Sequence, residues 1–309
     1  MLDFLTAPSI PRVSLSIDET HLALVELQRR RGAFGPRRLG VQSLPPDLVR
    51  AHFTEPNIAD EAALAERLGA TAEEAGLGRL RRLTVALPEG STHSLVISLE
   101  HAPGSRAELQ QMLEWKVERN TGCQFADLRV SHRRLSPFHG RVQWLAVATH
   151  REVIEQYERV LQGLGWQAGV VMPRHLGEAQ WLMRGRGHED RALVSFNEHG
   201  FAVVVVRGAE PIMLRSLQCA PEEREDEFYR LMVFYRDRLL PGESAITLNR
   251  LLTLGTPEEQ RRYRQVLADA LEAEPEMLTP PQLGLDLAPG APFSQFAAAA
   301  GLATLAWNR

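Results

Sequence analysis

The residues with the most chemistry in this sequence sit in two short polar breaks between apolar runs. Asp18-Glu19-Thr20-His21 interrupts Val13 to Leu27, and Asn197-Glu198-His199-Gly200 interrupts the run from Ala192 to Val206. An aspartate in such a turn can orient a metal ion or a water, or it can accept from its own backbone. Nothing else in the chain completes a familiar set. Gly-x-Ser-x-Gly, Cys-x-x-Cys, His-Glu-x-x-His and Walker-type patterns are all absent from the sequence. Lys116 is the only lysine, which removes every P-loop or Schiff-base reading that needs a lysine elsewhere. His132, His139 and His150 lie close in sequence but at no metal-ligand spacing. Cys123 and Cys219 are far apart and read as reduced thiols.

The elements that carry these breaks follow from hydrophobic periodicity. Val13, Leu15 and Ile17 alternate with Ser14 and Ser16, and Leu22, Leu24 and Leu27 resume the apolar set after the break, which predicts a β-hairpin. The same strand-turn-strand pattern returns over Ala192–Phe196, Phe201–Val206 and Pro211–Leu217. Two such units, one opening each half, predict two related lobes. Helical spacing marks Asp60 to Ala75. Ser105 and Glu108 form a capping box that opens a helix running to Arg119, and Thr149 with Glu152 reads as a second box opening a helix that ends before Gly163. Strands are expected at Leu83–Leu87, Ser94–Leu99, Arg129–Leu135, Arg141–Ala148, Trp166–Val171 and Ser244–Leu248. Further helices are expected at Pro173–Leu182, Glu222–Leu239, Pro257–Glu272 and Phe293–Trp307, and the glycine-arginine stretch 184–190 reads as the boundary between lobes.

With 309 residues, 44% apolar and 24% charged, the chain has ordinary globular composition and ample core for one large or two medium domains. A net charge of −4 gives no global case for nucleic acid, and Arg29-Arg30-Arg31 at a hairpin tip reads as a solvated face. No apolar run reaches the roughly 18 residues of a membrane span. The N-terminal MLDFLTAPSIPR lacks a basic n-region and a long h-region, so it does not read as a signal peptide.

Several phrases together resemble the PilM family of type IV pilus assembly proteins, relatives of FtsA in the actin-like ATPase superfamily. They are Asp18 followed by Val25-Glu26-Leu27, Thr84-Val85-Ala86-Leu87-Pro88, the helix containing Glu114-Trp115, and Phe296-Ala297 with Ala300-Gly301-Leu302-Ala303. The resemblance implies an α/β, actin-like (RNase H-like) two-lobed fold with an inserted SHS2-like subdomain. The expected layout is a first lobe over 1–90 completed by 166–190, the insertion over 91–165, and a second lobe over 191–309.

The family's nucleotide contacts are altered. Its Asp-Ile-Gly-Ser-Ser turn is shortened here around Asp18, the one residue matching a catalytic position, and Glu19 and His21 bring bulk and charge where phosphate oxygens would sit. Ser195 and Asn197 stand in the second turn, where the family carries another aspartate. Asn249 and Arg250 stand where a Gly-Gly pair would receive adenosine. The resemblance therefore implies a pseudo-ATPase with no cofactor and no metal, and no enzyme activity. Its implied role is a cytoplasmic scaffold, peripheral to the inner membrane through a PilN-like bitopic partner. The partner's short cytoplasmic tail would lie in a groove between the first lobe and the insertion, near Val85, Leu87, Trp115 and Arg119. Other pilus inner-membrane proteins are implied partners; nucleic acid is not. The alternatives are an active actin-like protein binding ATP and Mg²⁺, and the cytoplasmic scaffold of a type II secretion system.

Overall fold

The structure is a computed structural model, which describes residues 10–185, 189–239 and 248–307. In chain order the elements are β1 (Val13–Ile17), β2 (His21–Arg30), β3 (Ala33–Ser43), α1 (Glu61–Glu74), β4 (Arg82–Leu87), β5 (His93–Leu99), α2 (Arg106–Thr121), β6 (Leu128–Phe138), β7 (Arg141–His150) and α3 (Arg151–Gly163). They continue with β8 (Gln167–Pro173), α4 (Arg174–Met183), β9 (Asp190–Asn197), β10 (Gly200–Arg207), β11 (Glu210–Gln218), α5 (Arg224–Phe234), β12 (Leu248–Leu254), α6 (Pro257–Leu271), β13 (Glu276–Met277) and α7 (Phe293–Ala303). The chain divides into two compact units. One holds residues to Pro88, Glu152–Gln180 and the stretch from Gly284; the other holds Glu89–Arg151 and Trp181–Leu283.

The first unit is a five-stranded sheet in the order β3-β2-β1-β4-β8. The β1–β2 and β2–β3 pairs are antiparallel, whereas β4 and β8 join in parallel. Leu15, Ile17, Leu22, Leu24, Val85 and Leu87 make one face, packed with Leu64 and Leu68 of α1 and with Val153, Tyr157, Val160 and Leu161 of α3. The opposite face is built of small residues. Ser14 and Ser16 are buried there, and the Ser14 and Thr84 hydroxyls bond to each other at 2.5 Å. Small side chains leave room for α7, whose Ala298 and Leu302 pack with Ala86. Gly177 of α4 lies so close to α7 that a Cβ would come within 3.0 Å of the Ala298 carbonyl oxygen. The alternation in β1 is therefore apolar against small, with both faces covered.

The second unit repeats that plan. Its main sheet runs β11-β10-β9-β12-β13, again two antiparallel hairpin pairs followed by parallel strands. Phe228, Met232 and Tyr235 are fully buried with Phe201, Val203, Tyr263 and Leu267, and Leu231 and Leu239 pack against them partly buried. A separate three-stranded antiparallel sheet, β5-β7-β6, carries α2, whose Leu113 and Val117 are buried. The tip of its β6–β7 hairpin is bonded within the unit. The Ser136 amide donates to the Glu210 carboxylate at 2.7 Å, His139 Nε2 donates to the Leu239 carbonyl at 3.0 Å, and the Arg207 guanidinium lies 5.1 Å from the Phe138 ring centre. Arg207 also grips buried Asp190 through two bonds of 2.7 and 2.8 Å, and the Tyr235 hydroxyl donates to the same carboxylate.

Several expected boundaries move. The range 91–165 is not one unit: β5, α2, β6 and β7 lie in the second unit, whereas α3 lies in the first from Glu152 on. Gln156 explains the position of α3. Its side chain accepts from the Asn57 and Ile58 amides at 2.8 and 3.0 Å and donates to the Ile58 carbonyl at 2.8 Å, tying the helix to the loop before α1. Thr149 does not cap α3; it is the next-to-last residue of β7, and its hydroxyl donates to the Ser91 carbonyl at 3.1 Å. The range 191–309 also divides, because the stretch from Gly284 joins the first unit. The Phe34 amide donates to the Gly284 carbonyl at 2.7 Å and the Asp286 amide to the Phe34 carbonyl at 2.6 Å, which lays the chain along β3 before α7 begins. Of the strand expected at Ser244–Leu248, residues 244–247 lie outside the described residues.

Candidate functional site

The β1–β2 turn is the site that sequence singles out, and the structure fills it. The Asp18 amide donates to the His21 carbonyl at 2.8 Å, closing a four-residue turn. Asp18 Oδ1 accepts from the Glu19 amide at 2.9 Å, so the turn aspartate does bind its own backbone. Its other oxygen, Oδ2, takes a direct hydrogen bond from Arg174 at the first position of α4. Arg174 in turn donates through Nε to Glu178 Oε1, one helical turn on, at 2.8 Å. All three side chains are nearly or fully buried. The Glu19 carboxylate is turned to the loop before α1 and accepts from the Ala51 amide at 2.9 Å.

His21 closes the cluster on the other side. Its Nε2 lies 2.9 Å from the Gln295 carbonyl, an acceptor only, so that nitrogen carries the proton. Its Nδ1, 3.0 Å from the Thr20 hydroxyl, is left to accept. Burial pushes the imidazole pKa below its ordinary value, against the pull of Asp18, and Arg174 adds to the lowering. The neutral ring suits both hydrogen bonds.

This arrangement does little for a phosphate. Binding one at a turn requires backbone N–H groups aimed outward and no competing anion. Here the Asp18 and Glu19 amides bond inward, two carboxylates occupy the turn, and the guanidinium at its centre is committed to Asp18 and Glu178. A cation brought to Asp18 would have to displace Arg174.

The second turn, after β9, contains no aspartate. Ser195 is buried opposite Ala202 and beside Leu254. Asn197 Oδ1 accepts from the His199 amide at 3.0 Å, and Arg224 donates to the Asn197 and Glu198 carbonyls at 3.0 Å each. Like the first turn, it is closed by an arginine from a following helix.

The third expected contact is displaced. Asn249 and Arg250 are not in a loop after a strand; they are the second and third residues of β12, and Arg250 pairs with Glu276 at 3.0 Å. The cause is burial: Leu251, Leu252 and Leu254 are buried on alternate faces of the strand and paired in register with β9. The turn after β12 is Gly255-Thr256, leading into α6 through a Thr256–Glu259 capping box. A Cβ on Gly255 would strike the Phe196 ring at 2.9 Å and the Glu259 carboxylate at 2.6 Å, so a glycine does stand there, with Phe196 packed over it.

The residues expected to line a partner groove fall in different units. Val85 and Leu87 are 1% and 0% exposed in the first unit's core and have no side-chain surface to offer. Trp115 lies on α2 in the second unit and is 52% exposed, with the Lys116 and Arg119 cations 5.4 and 5.2 Å from its ring centre. Arg174 and Glu178 were not among the expected site residues. Their i, i+4 spacing in a recognised helix is visible in sequence; the partner Asp18, 156 positions away, is not.

Two sheets of identical strand plan, each opening on a hairpin whose turn faces the start of a helix, define an actin-like ATPase fold. No family model matches the chain, and no curated protein sequence matches it. Among solved structures it is similar to a chain of the PilM-PilN type IV pilus biogenesis complex, at a TM-score of 0.77 and 19% identity, covering 98% of this chain and 100% of that one. Weaker likenesses include a Bacteroides thetaiotaomicron protein of actin-like ATPase fold and unknown function (TM-score 0.49, 14% identity, 97% and 99% covered). Another is the cytoplasmic domain of EpsL, an inner membrane component of the type II secretion system of Vibrio cholerae (0.48, 14%, 96% and 93%). The first of these establishes the actin-like fold along the whole chain.

Proposed function

We propose that this protein is a non-hydrolysing, actin-like scaffold of a type IV pilus-like assembly, held at the inner membrane by the short cytoplasmic tail of a PilN-like partner. The observation that carries the reading is the closed β1–β2 turn on this fold: an arginine and two carboxylates fill the place where an actin-like ATPase would receive phosphate. The end-to-end likeness to a chain of the PilM-PilN complex supports a pilus role over the many other uses of the fold. Among the described residues no helix is long and apolar enough to cross a membrane, so attachment through a membrane partner accommodates the chain as described. The tail is a short extended peptide, and its affinity comes from backbone bonds and apolar anchors.

Calorimetric titration of synthetic cytoplasmic tails from bitopic membrane proteins encoded beside this chain tests the reading. One tail is expected to bind with one-to-one stoichiometry and a weak dependence on salt. If none binds, or if ATP with Mg²⁺ binds tightly at one site and is turned over, the reading fails.

A further inference from the structure

The end of the first unit's sheet opposite the Asp18 turn gathers arginines. There β1, β3 and β4 begin and β2 ends. Arg29, Arg30 and Arg31 stand at the β2–β3 turn, which Arg31 and Gly32 make with φ of +49° and +90°. Arg79, Arg81 and Arg82 lie on the approach to β4, about 10 Å across the sheet, since only β1 intervenes. All six are exposed. Beside the second group lies an open concavity of about 540 Å³, lined by Arg38, Arg79 and Arg81, by Glu26 and Glu73, and by apolar residues including Leu77. Glu26 is answered by Arg37 and Arg38 at 3.3 and 3.7 Å.

Elsewhere surface arginines are commonly paired: Arg50 with Asp47 at 3.0 Å, Arg159 with Glu61 at 2.8 Å, Arg264 with Glu274 at 2.9 Å. Among the described residues none of the six forms an ion pair. Six exposed arginines without an ion pair thus gather at one end of one sheet in a protein of net charge −4. Aromatic rings lie beneath guanidinium groups at the same end: Arg29 is 5.6 Å from the ring centre of Phe34, and Arg12 is 5.5 Å from that of Trp307.

We infer that this end of the first unit docks on an anionic membrane surface, its arginines contacting lipid phosphates. Nucleic acid fits less well. Single-strand binding wants open aromatic faces on which bases stack, and Phe34 is only 2% exposed. Duplex binding wants an element that enters a groove, and a splayed pair of turns supplies none. Clustered arginines beside a bilayer each add a modest attraction to anionic headgroups. The inference takes from the proposed function only that the protein works beside a membrane. Docking would then hold the chain near its partner and raise the effective concentration of the tail.

The test is co-sedimentation of the full chain with vesicles of phosphatidylcholine alone and of phosphatidylcholine containing about one third phosphatidylglycerol. Binding is expected to the anionic vesicles only, falling as salt rises. The variant Arg30→Glu/Arg31→Glu/Arg79→Glu/Arg81→Glu is expected to lose at least about 100-fold in partitioning, from roughly fivefold per charge removed. The milder Arg30→Gln/Arg31→Gln covers the case in which four reversals impair folding, and is expected to lose about tenfold or more. Charge reversal at Arg133 and Arg134, exposed on β6 in the other unit, should leave partitioning unchanged. Free phosphate should not compete, and a tail titration should be unaffected by any of these variants. Absence of vesicle binding, equal binding to neutral vesicles, full retention in the reversed variants, or capture of a DNA duplex in place of vesicles would overturn the inference while leaving the tail reading standing.

Discussion

At the scale of single residues, Arg174 is the keystone of the first turn. It sits between two carboxylates that would otherwise be buried with like charge in one small space. Breaking a buried pair by removing one partner costs about 3–5 kcal/mol, because the charge left behind has neither water nor a counterion. Arg174→Met is therefore expected to lower stability by about that amount, read as a shift in the denaturant midpoint, and Asp18→Asn added to it should recover part of the loss. A mutation without effect would mean that water already reaches the cluster. His21 gives a pH signature. Its folded pKa lies below the unfolded value, so the unfolded chain takes up the proton first; its contribution is complete above pH ~6.5 and is lost as pH falls through the folded value. Stability should decline on acidification below pH ~6.5, and His21→Gln should flatten part of that decline in a pH series of unfolding curves. The sequence exposes Asp18 as a turn residue and Arg174–Glu178 as a helical pair, but their meeting depends on β8 running parallel to β4.

At the scale of elements, hairpins and helices were legible because their periods are local, and their partners were not. The alternation of Val13 to Ile17 announced a strand; it did not announce that its serine face would be covered. The alanines of α7 announce a helix, and the family resemblance implies a place for it in the second lobe. Its actual place, across β1, β2 and β4, follows from size: serine, threonine and alanine on the sheet meet alanine and glycine on the helix. Helix α3 was misassigned for the same reason, since its apolar stripe fits any core of the right width. The small-on-small contact makes a sharp prediction. Ala298→Leu would push three extra carbons into a seam where Gly177 already sits against the Ala298 backbone, and overpacking of this kind costs about 1–3 kcal/mol. Gly177→Ser should do comparable damage, whereas alanine substitution at exposed Glu258 on α6 should do almost none. Thermal unfolding of the three variants decides whether the seam is as tight as the structure has it.

At the scale of the whole molecule, the actin-like plan is present in both units, and an arginine closes the hairpin turn of each. The two hairpins predict two related lobes, and the same strand order is found in both units. Asn249 and Arg250, expected after a strand, belong to β12, and the turn that follows β12 holds a glycine, Gly255, beneath Phe196. The case against nucleotide thus rests on the two hairpin turns. In the first, Arg174 and the carboxylates compensate each other inside the protein; in the second, Arg224 closes the turn over Asn197 and Glu198. If those arginines stand in for a ligand, the protein is already in its working conformation, and ATP has no state to favour. A ligand shifts an equilibrium only by its differential affinity for two states. Affinity for a partner tail should therefore be the same, within about twofold, in buffer, with ATP and Mg²⁺, and with ADP and Mg²⁺. Removing the keystone gives the contrasting arm: Arg174→Ala opens space at the turn but leaves two uncompensated carboxylates, which repel phosphate, so nucleotide binding should not appear there either. Parallel calorimetry of the wild-type chain and Arg174→Ala, each titrated with nucleotide and then with tail, measures both. A nucleotide-dependent change in tail affinity of tenfold or more would mean that the turns are switches held closed by their arginines, and that the scaffold still answers to ATP.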